Sequence, residues 1–283
     1  MRHVDLEDLR LPDGWANEAQ AATHAILGGA PPSDFDGIWR DLKQRLAALL
    51  HDKCWFCETP VTRSDNAVDH FRPKSRVSDA ANAHQGYRWL TFAAANFRFA
   101  CTFCNSRRID VEHGTAGGKA DRFPLVHEAN RVYGVVAADL DFDDLLATVQ
   151  AERPGLLDPC NLDDWRLLGC KRENGNPCAT SDDPEVVTRV NTSIEVYHLD
   201  HEPTCKQRHT VSGMLLRTVR KAKARFLTID PSDPGTIRAF EASALEIKRM
   251  IARKAPYSGE MRFLLGGQRS DLHPWIQRLL EDG

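Results

Sequence analysis

Cys54-Trp55-Phe56-Cys57, Val68-Asp69-His70-Phe71-Arg72-Pro73-Lys74 and Cys101-Thr102-Phe103-Cys104-Asn105 are the stretches whose reading decides the fold. Two Cys-x-x-Cys pairs can close a tetrahedral shell of four thiolates around zinc, and a shell with no open position is structural rather than catalytic. The 43 residues between the pairs exceed the spacing of a simple zinc ribbon, so a substantial element is inserted between the two knuckles. A thioredoxin-like redox site would need a surrounding βαβ pattern, which is missing here. Buried, uncoordinated thiols are the remaining alternative.

The composition agrees with a metal staple in a reducing compartment. The chain has 283 residues, 42% of them hydrophobic, enough for one large or two modest cores without disulfides. No run approaches the roughly 20 apolar residues of a membrane span, and Met1-Arg2-His3-Val4-Asp5 lacks the apolar stretch of a signal peptide. A soluble, cytoplasmic protein is expected, in which eight cysteines argue for metal rather than disulfides. The net charge of −3 is unevenly spread: Lys206 to Arg225 holds seven Lys or Arg and no acid. Glu58 to Arg108 holds eight against four acids, and Asp139 to Asp144 is a compensating acidic run. Local positive faces on a near-neutral body suit phosphate contacts, although a solvated helix face would read the same way.

Periodicity and punctuation predict an α+β chain, mostly helical, in three regions. Residues 1–52 form a helical N-terminal extension: one helix over Trp15 to Leu27, ended by Gly28-Gly29, and one from Phe35 to Leu50 capped by Ser33 or Asp34. Residues 53–125 are short, irregular, aromatic and basic, as expected of the metal-stapled module. Residues 126–283 begin with a short strand at Gly155 to Pro159 and a hairpin over Lys171 to Cys178, centred on Asn174-Gly175. Helices follow over Pro184 to Tyr197, Glu202 to Phe226, Pro234 to Ala255 and Pro274 to Leu280.

Inside the insertion, Asp69-His70 pairs a potential general base with a carboxylate that can hold a divalent cation. Asn96 and Asn105 follow, the latter beside a zinc-ligand candidate. Together, Cys54-x-x-Cys57, Val68-Asp69-His70-x-x-Pro73-Lys74, Trp89-Leu90, Asn96 and Cys101-x-x-Cys104-Asn105-x-Arg107-Arg108 resemble the HNH nucleases. Their core is the ββα-metal fold. Asp121-Arg122-Phe123-Pro124-Leu125, Leu156-Leu157-Asp158-Pro159-Cys160 and Pro256-Tyr257-Ser258 resemble, more thinly, the HNH subunit of Septu-type and related retron anti-phage systems.

The resemblance implies His70 as general base, Asp69 and Asn105 as ligands of a catalytic cation, and Asn96 as the residue that tethers the hairpin loop. Where many relatives carry a further histidine this chain has Ile109. One carboxylate and one amide oxygen favour Mg²⁺ or Mn²⁺ over tightly held Zn²⁺, a choice that the nearby His113 reopens. Arg72, Lys74, Arg107 and Arg108 are candidates for flanking phosphate contacts, and Arg220, Lys221 and Lys223 for a more distant nucleic-acid face. The implied activity is cleavage of phosphodiester bonds in DNA, with a separate ATPase as partner. A non-catalytic zinc-stapled nucleic-acid-binding module and an RNA-directed HNH toxin are the alternatives.

Other features carry less. Gly114 to Ala120 lacks the Gly and the Ser or Thr of a phosphate loop and is expected to be a flexible loop. Cys160, Cys170, Cys178 and Cys205 have irregular spacing, so a second zinc with His198, His201 or His209 is disfavoured. Trp15, Trp39, Trp165 and Trp275 are expected in cores or interfaces. His84 and His113 are the reserve candidates for the base.

Overall fold

The computed structural model describes residues 1–61, 65–112, 114–135 and 141–281. His113 and part of the acidic run, Asp139 and Leu140, lie outside the described residues. The fold is α+β, with helices predominating and three two-stranded antiparallel sheets among the described residues.

The N-terminal helices are α1 (Trp15–Leu27), α2 (Asp36–Arg40) and α3 (Lys43–Leu49). The single helix expected over Phe35 to Leu50 is thus interrupted at Asp41-Leu42. Both residues stay right-handed, so the apolar face survives: Ile38, Trp39, Leu42, Leu46 and Leu50 are all buried. That face packs on the central hairpin of β1 (Asn66–His70) and β2 (Phe97–Cys101), paired from Asn66↔Cys101 to His70↔Phe97. Trp15 meets Phe97 edge-on at 6.4 Å, and Arg88 donates to the carbonyls of Ile26 and Ala30. Residues 1–52 therefore share one core with the hairpin and are not an appended extension.

After β2 comes the one-turn helix α4 (Thr102–Asn105), followed by a small hairpin of β3 (Arg108–Asp110) and β4 (Thr115–Gly117). The helix α5 (Phe142–Ala147) was not foreseen; Asp141 caps it by accepting from the Asp144 N–H. Gly155 to Pro159 forms no strand. Its backbone is satisfied singly instead: Gly155 donates to Pro124 O, Leu157 to Ser193 Oγ, and Pro159 O accepts from Val4. Asp158 in that segment holds Arg98 of β2 through two short bonds, 2.7 and 2.6 Å.

The predicted hairpin is present as β5 (Leu168–Cys170) and β6 (Pro177–Ala179). Gly175 turns it at φ +73°, where a Cβ would lie 2.4 Å from Cys205 O. The helices α6 (Pro184–Tyr197), α7 (Glu202–Leu227) and α8 (Pro234–Ile251) begin within a residue of expectation because Pro at the first turn and a capping Asp fix their starts: Asp183 caps α6 and Asp233 caps α8. α6 joins the core of the four-cysteine module, whereas α7, α8, α9 (Ser258–Gly266) and α10 (Trp275–Glu281) build their own. α9 was not foreseen.

A buried ionic network joins the two cores. Lys53 and Glu58, which flank the first cysteine pair, meet at 3.3 Å; Glu58 accepts from Gly259 N and Ser258 Oγ at the start of α9. The Met1 ammonium lies 3.8 Å from Glu58 and 3.5 Å from Glu260, which also faces Arg208 of α7. No helix among the described residues is long and apolar enough to cross a membrane.

Candidate active site and metal centre

The insertion between the cysteine pairs folds back as β1 and β2, bringing the knuckles together. The Sγ atoms of Cys54, Cys57, Cys101 and Cys104 all lie within 4.8 Å of one another, with Cys57 and Cys101 at 3.9 Å. Tetrahedral zinc with bonds of about 2.3 Å needs sulfur separations of about 3.8 Å, so this cluster could hold zinc with little adjustment. Hydrogen bonding from Cys101 and Cys104 draws the Cys57 thiol well below its usual range, while burial pushes Cys54 up. Among the described residues no other cluster has this character. Cys205 instead meets Arg208, and burial raises the thiols of Cys160 and Cys170 to about 12. A second zinc on Cys160, Cys170, Cys178 and Cys205 has no geometry to support it.

The same folding places Asp69 and His70 at the end of β1, beside Asn105 on the turn after β2. All three line one cleft of about 340 Å³, with Lys74, Arg76 and Arg107 at its margin. The His70 ring is buried against Trp39 and Phe97, both edge-on at 5.1 and 5.2 Å. Its Nε2 lies 2.9 Å from the carbonyl of Thr91. A carbonyl only accepts, so Nε2 carries the proton and Nδ1 is left with a bare lone pair. Burial, then the Lys74 ammonium, holds the imidazole well below its usual range, so the ring is neutral at pH 7.

Asp69 is also buried. Its Oδ1 accepts from Lys119 Nζ at 3.0 Å, and its Oδ2 has no partner. A buried carboxylate oxygen without a donor is costly, and a cation or a water would remove the cost. Lys119, fully buried, also donates to the carbonyl of His70 at 2.6 Å. Sequence reasoning missed this residue by treating Gly114 to Ala120 as a flexible loop. β4 and two glycines press it onto the module: a Cβ on Gly117 would lie 2.3 Å from His198, and one on Gly118 2.0 Å from Ser106 O. Lys119 N and Ala120 N then donate to the carbonyls of Cys104 and Asn105, which locks the lysine under the cleft. A basic residue following two glycines was the available signal.

Asn96 lies outside the cleft. Its Oδ1 accepts from Arg72 N at 2.8 Å, and its Nδ2 donates to Arg72 O at 3.0 Å and Leu90 O at 3.2 Å. The side chain thus clamps the turn that leaves β1 and does not line the cleft. Arg72, expected to contact phosphate, is instead engaged inside the fold: it pairs with buried Glu152 at 2.9 Å and lies over Phe123. Lys74 lies over Trp39 and reaches the cleft. Arg107 lines the cleft and is exposed; Arg108 stacks on Phe103.

His84 is excluded as the base because its Nε2 meets Val132 O and its Nδ1 accepts from Gly86 N. The basic run on α7 is divided. Arg208 is buried, Arg225 is held by Ala239 O and Ser243, Lys223 reaches Gln268 and exposed Lys206 pairs with Glu202 at 3.0 Å, which leaves Arg217, Arg220 and Lys221 exposed. Of the tryptophans, Trp15, Trp39 and Trp275 are core residues, Trp39 packing edge-on against His70, and Trp165 is half-buried beneath Arg166.

The segments around Asp121, Asp158 and Tyr257 pack against the four-cysteine module at different places, and of them only Asp121 lines the cleft. Asp121 pairs with Arg76, Phe123 underlies Arg72, Asp158 anchors β2, and Tyr257 and Ser258 contact the Thr59 and Glu58 side chains next to the first knuckle. Comparison of the chain with protein-family models, curated proteins and solved structures finds no match.

Proposed function

We propose that this chain is a metal-dependent HNH endonuclease that hydrolyses phosphodiester bonds in DNA. The observation that carries the reading is His70: neutral, fixed through Nε2–H on Thr91 O with Nδ1 unprotonated, and lining one cleft with Asn105 and with Asp69, whose buried Oδ2 is unpartnered. In this reading Nδ1 takes a proton from a water aligned with the scissile phosphate, and the hydrogen bond to Thr91 stabilises the imidazolium that forms. Asp69 Oδ2 and the Asn105 amide would hold Mg²⁺ or Mn²⁺, which when bound stabilises charge on the phosphoryl and departing oxygens. Lys74 and Arg107 would seat the flanking phosphate oxygens.

The four thiols would hold a structural zinc that fixes Asn105, the neighbour of Cys104, opposite β1. Anti-phage defence alongside a separate ATPase is supported only by the resemblance of the Asp121, Leu156 and Pro256 segments.

The test is cleavage of plasmid, single-stranded DNA and RNA with Mg²⁺ or with EDTA. Wild-type protein, with its partner present, should nick or cut DNA, and His70→Ala should lose at least about 10²-fold while retaining zinc and thermal stability. Preference for RNA would favour a toxin, and binding without cleavage would favour a non-catalytic module. Normal cleavage by His70→Ala would remove the site assignment.

A further inference from the structure

The ammonium of Lys119 occupies one oxygen of Asp69, the carboxylate read above as a ligand of the catalytic cation. It is completely buried, so it cannot swing away into solvent, and Gly117, Gly118 and the bonds to Cys104 and Asn105 carbonyls fix its backbone. Around the cleft, the cations Lys74, Arg76, Arg107 and Lys119 face two carboxylates, Asp69 and Asp121. Asp121 is already engaged by Arg76 at 2.5 Å. The field in the cleft therefore favours a phosphodiester and opposes a lone divalent cation. Oδ2 of Asp69 nevertheless remains buried and unpartnered, a ligand atom waiting for charge it cannot attract alone.

We propose that Lys119 is a positioning residue that keeps the cleft's affinity for a divalent cation low until a backbone phosphate enters, so that cation and nucleic acid bind as a pair. This rests on the metal-dependent nuclease reading above. The phosphate supplies the negative charge and oxygen ligands that the protein withholds, and Lys119 keeps Asp69 Oδ1 occupied so that Oδ2 alone faces the ion. Binding is then reciprocal: whatever factor the nucleic acid adds to cation affinity, the cation must add to nucleic-acid affinity. An enzyme built this way does not assemble a loaded centre in the absence of substrate.

The test reads metal binding, not cleavage. Mn²⁺ is titrated into zinc-loaded protein, free Mn²⁺ being followed by electron paramagnetic resonance, with and without a DNA oligonucleotide in the non-cleaving His70→Ala background. Affinity for Mn²⁺ should rise at least tenfold, about 1.4 kcal/mol, when the oligonucleotide is bound. Lys119→Met should bind Mn²⁺ at least tenfold more tightly than its parent without nucleic acid, and the gain should vanish when Asp69→Asn is added. Equal Mn²⁺ affinity with and without the oligonucleotide would overturn the proposal without relying on any Lys119 variant. So would unchanged or weaker Mn²⁺ binding by folded Lys119→Met. If no substrate is ever cleaved, the nuclease reading fails, yet the Mn²⁺ gain in Lys119→Met still decides the role of the lysine.

Discussion

Replacing Asn96 by Ala should destabilise the fold by more than the size of the side chain suggests. The amide is 3% exposed and makes three hydrogen bonds, one from Arg72 N and two to the carbonyls of Arg72 and Leu90. Each bond is worth about 0.5–1.5 kcal/mol net, and the partners left behind lie in a segment that water reaches poorly, so the expected cost is about 3 kcal/mol. That is a large share of the roughly 5–15 kcal/mol that holds a domain together, but it leaves the protein folded at 25 °C. Urea unfolding should show a lower midpoint with an unchanged slope. Asn96→Asp should be no better, since it keeps the acceptor for Arg72 N but aims carboxylate oxygens at two carbonyls. The turn held by Asn96 carries Lys74 away from His70, so cleavage should fall more than tenfold under conditions where the variant is fully folded. A loss below about 1 kcal/mol, or wild-type cleavage by the folded variant, would refute the clamp.

Three further outcomes follow from particular contacts. Protein purified without added metal should contain about one zinc per chain by elemental analysis, and Cys101→Ser or prolonged chelation should unfold the module rather than only slow it. Burial pushes the Glu260 carboxyl from its ordinary 4.5 up to about 7, so the folded chain retains a proton that the unfolded chain has released. The stabilising contribution of that group is present in full below about pH 4.5 and is lost as pH rises towards 7; Glu260→Gln should flatten this slope in urea midpoints taken at pH 5 and 7.5. Neutralising Arg220 and Lys221 together should reduce the salt dependence of nucleic-acid binding without changing the melting temperature, if that exposed face follows the backbone. An unchanged slope would assign the face to solvent or to a protein partner.

Local chemistry by itself determined much of this protein. Pro at a first helical turn and a capping Asp mark the starts of α6 and α8 because both act within a few residues of chain. Asn174-Gly175 marks its hairpin for the same reason: the turn needs a positive φ, and glycine supplies it. The Cys-x-x-Cys spacing brought four sulfurs to one point because each knuckle is a local turn, and only the distance between the two had to be closed by folding. Asp69, His70 and Asn105 were legible as a group because they lie within a few residues of the strand and knuckle that carry them.

Tertiary structure decided what depends on partners distant in sequence. Arg72 and Lys74 are both basic residues beside His70, yet Glu152 and Phe123 draw one into the fold while Trp39 holds the other at the cleft. No local pattern distinguishes them. The Asp41-Leu42 interruption leaves the helical periodicity of its segment intact, and Gly155 to Pro159 is apolar enough to read as a strand although its backbone partners come singly from Val4, Pro124 and Ser193. Lys119 shows the difference most clearly. Fifty residues separate it from Asp69, and only the close approach permitted by Gly117 and Gly118 brings its ammonium to a carboxylate that would otherwise be buried alone. Sequence fixes the chemistry a residue can perform, whereas the field in which it performs depends on charges that only the folded chain assembles.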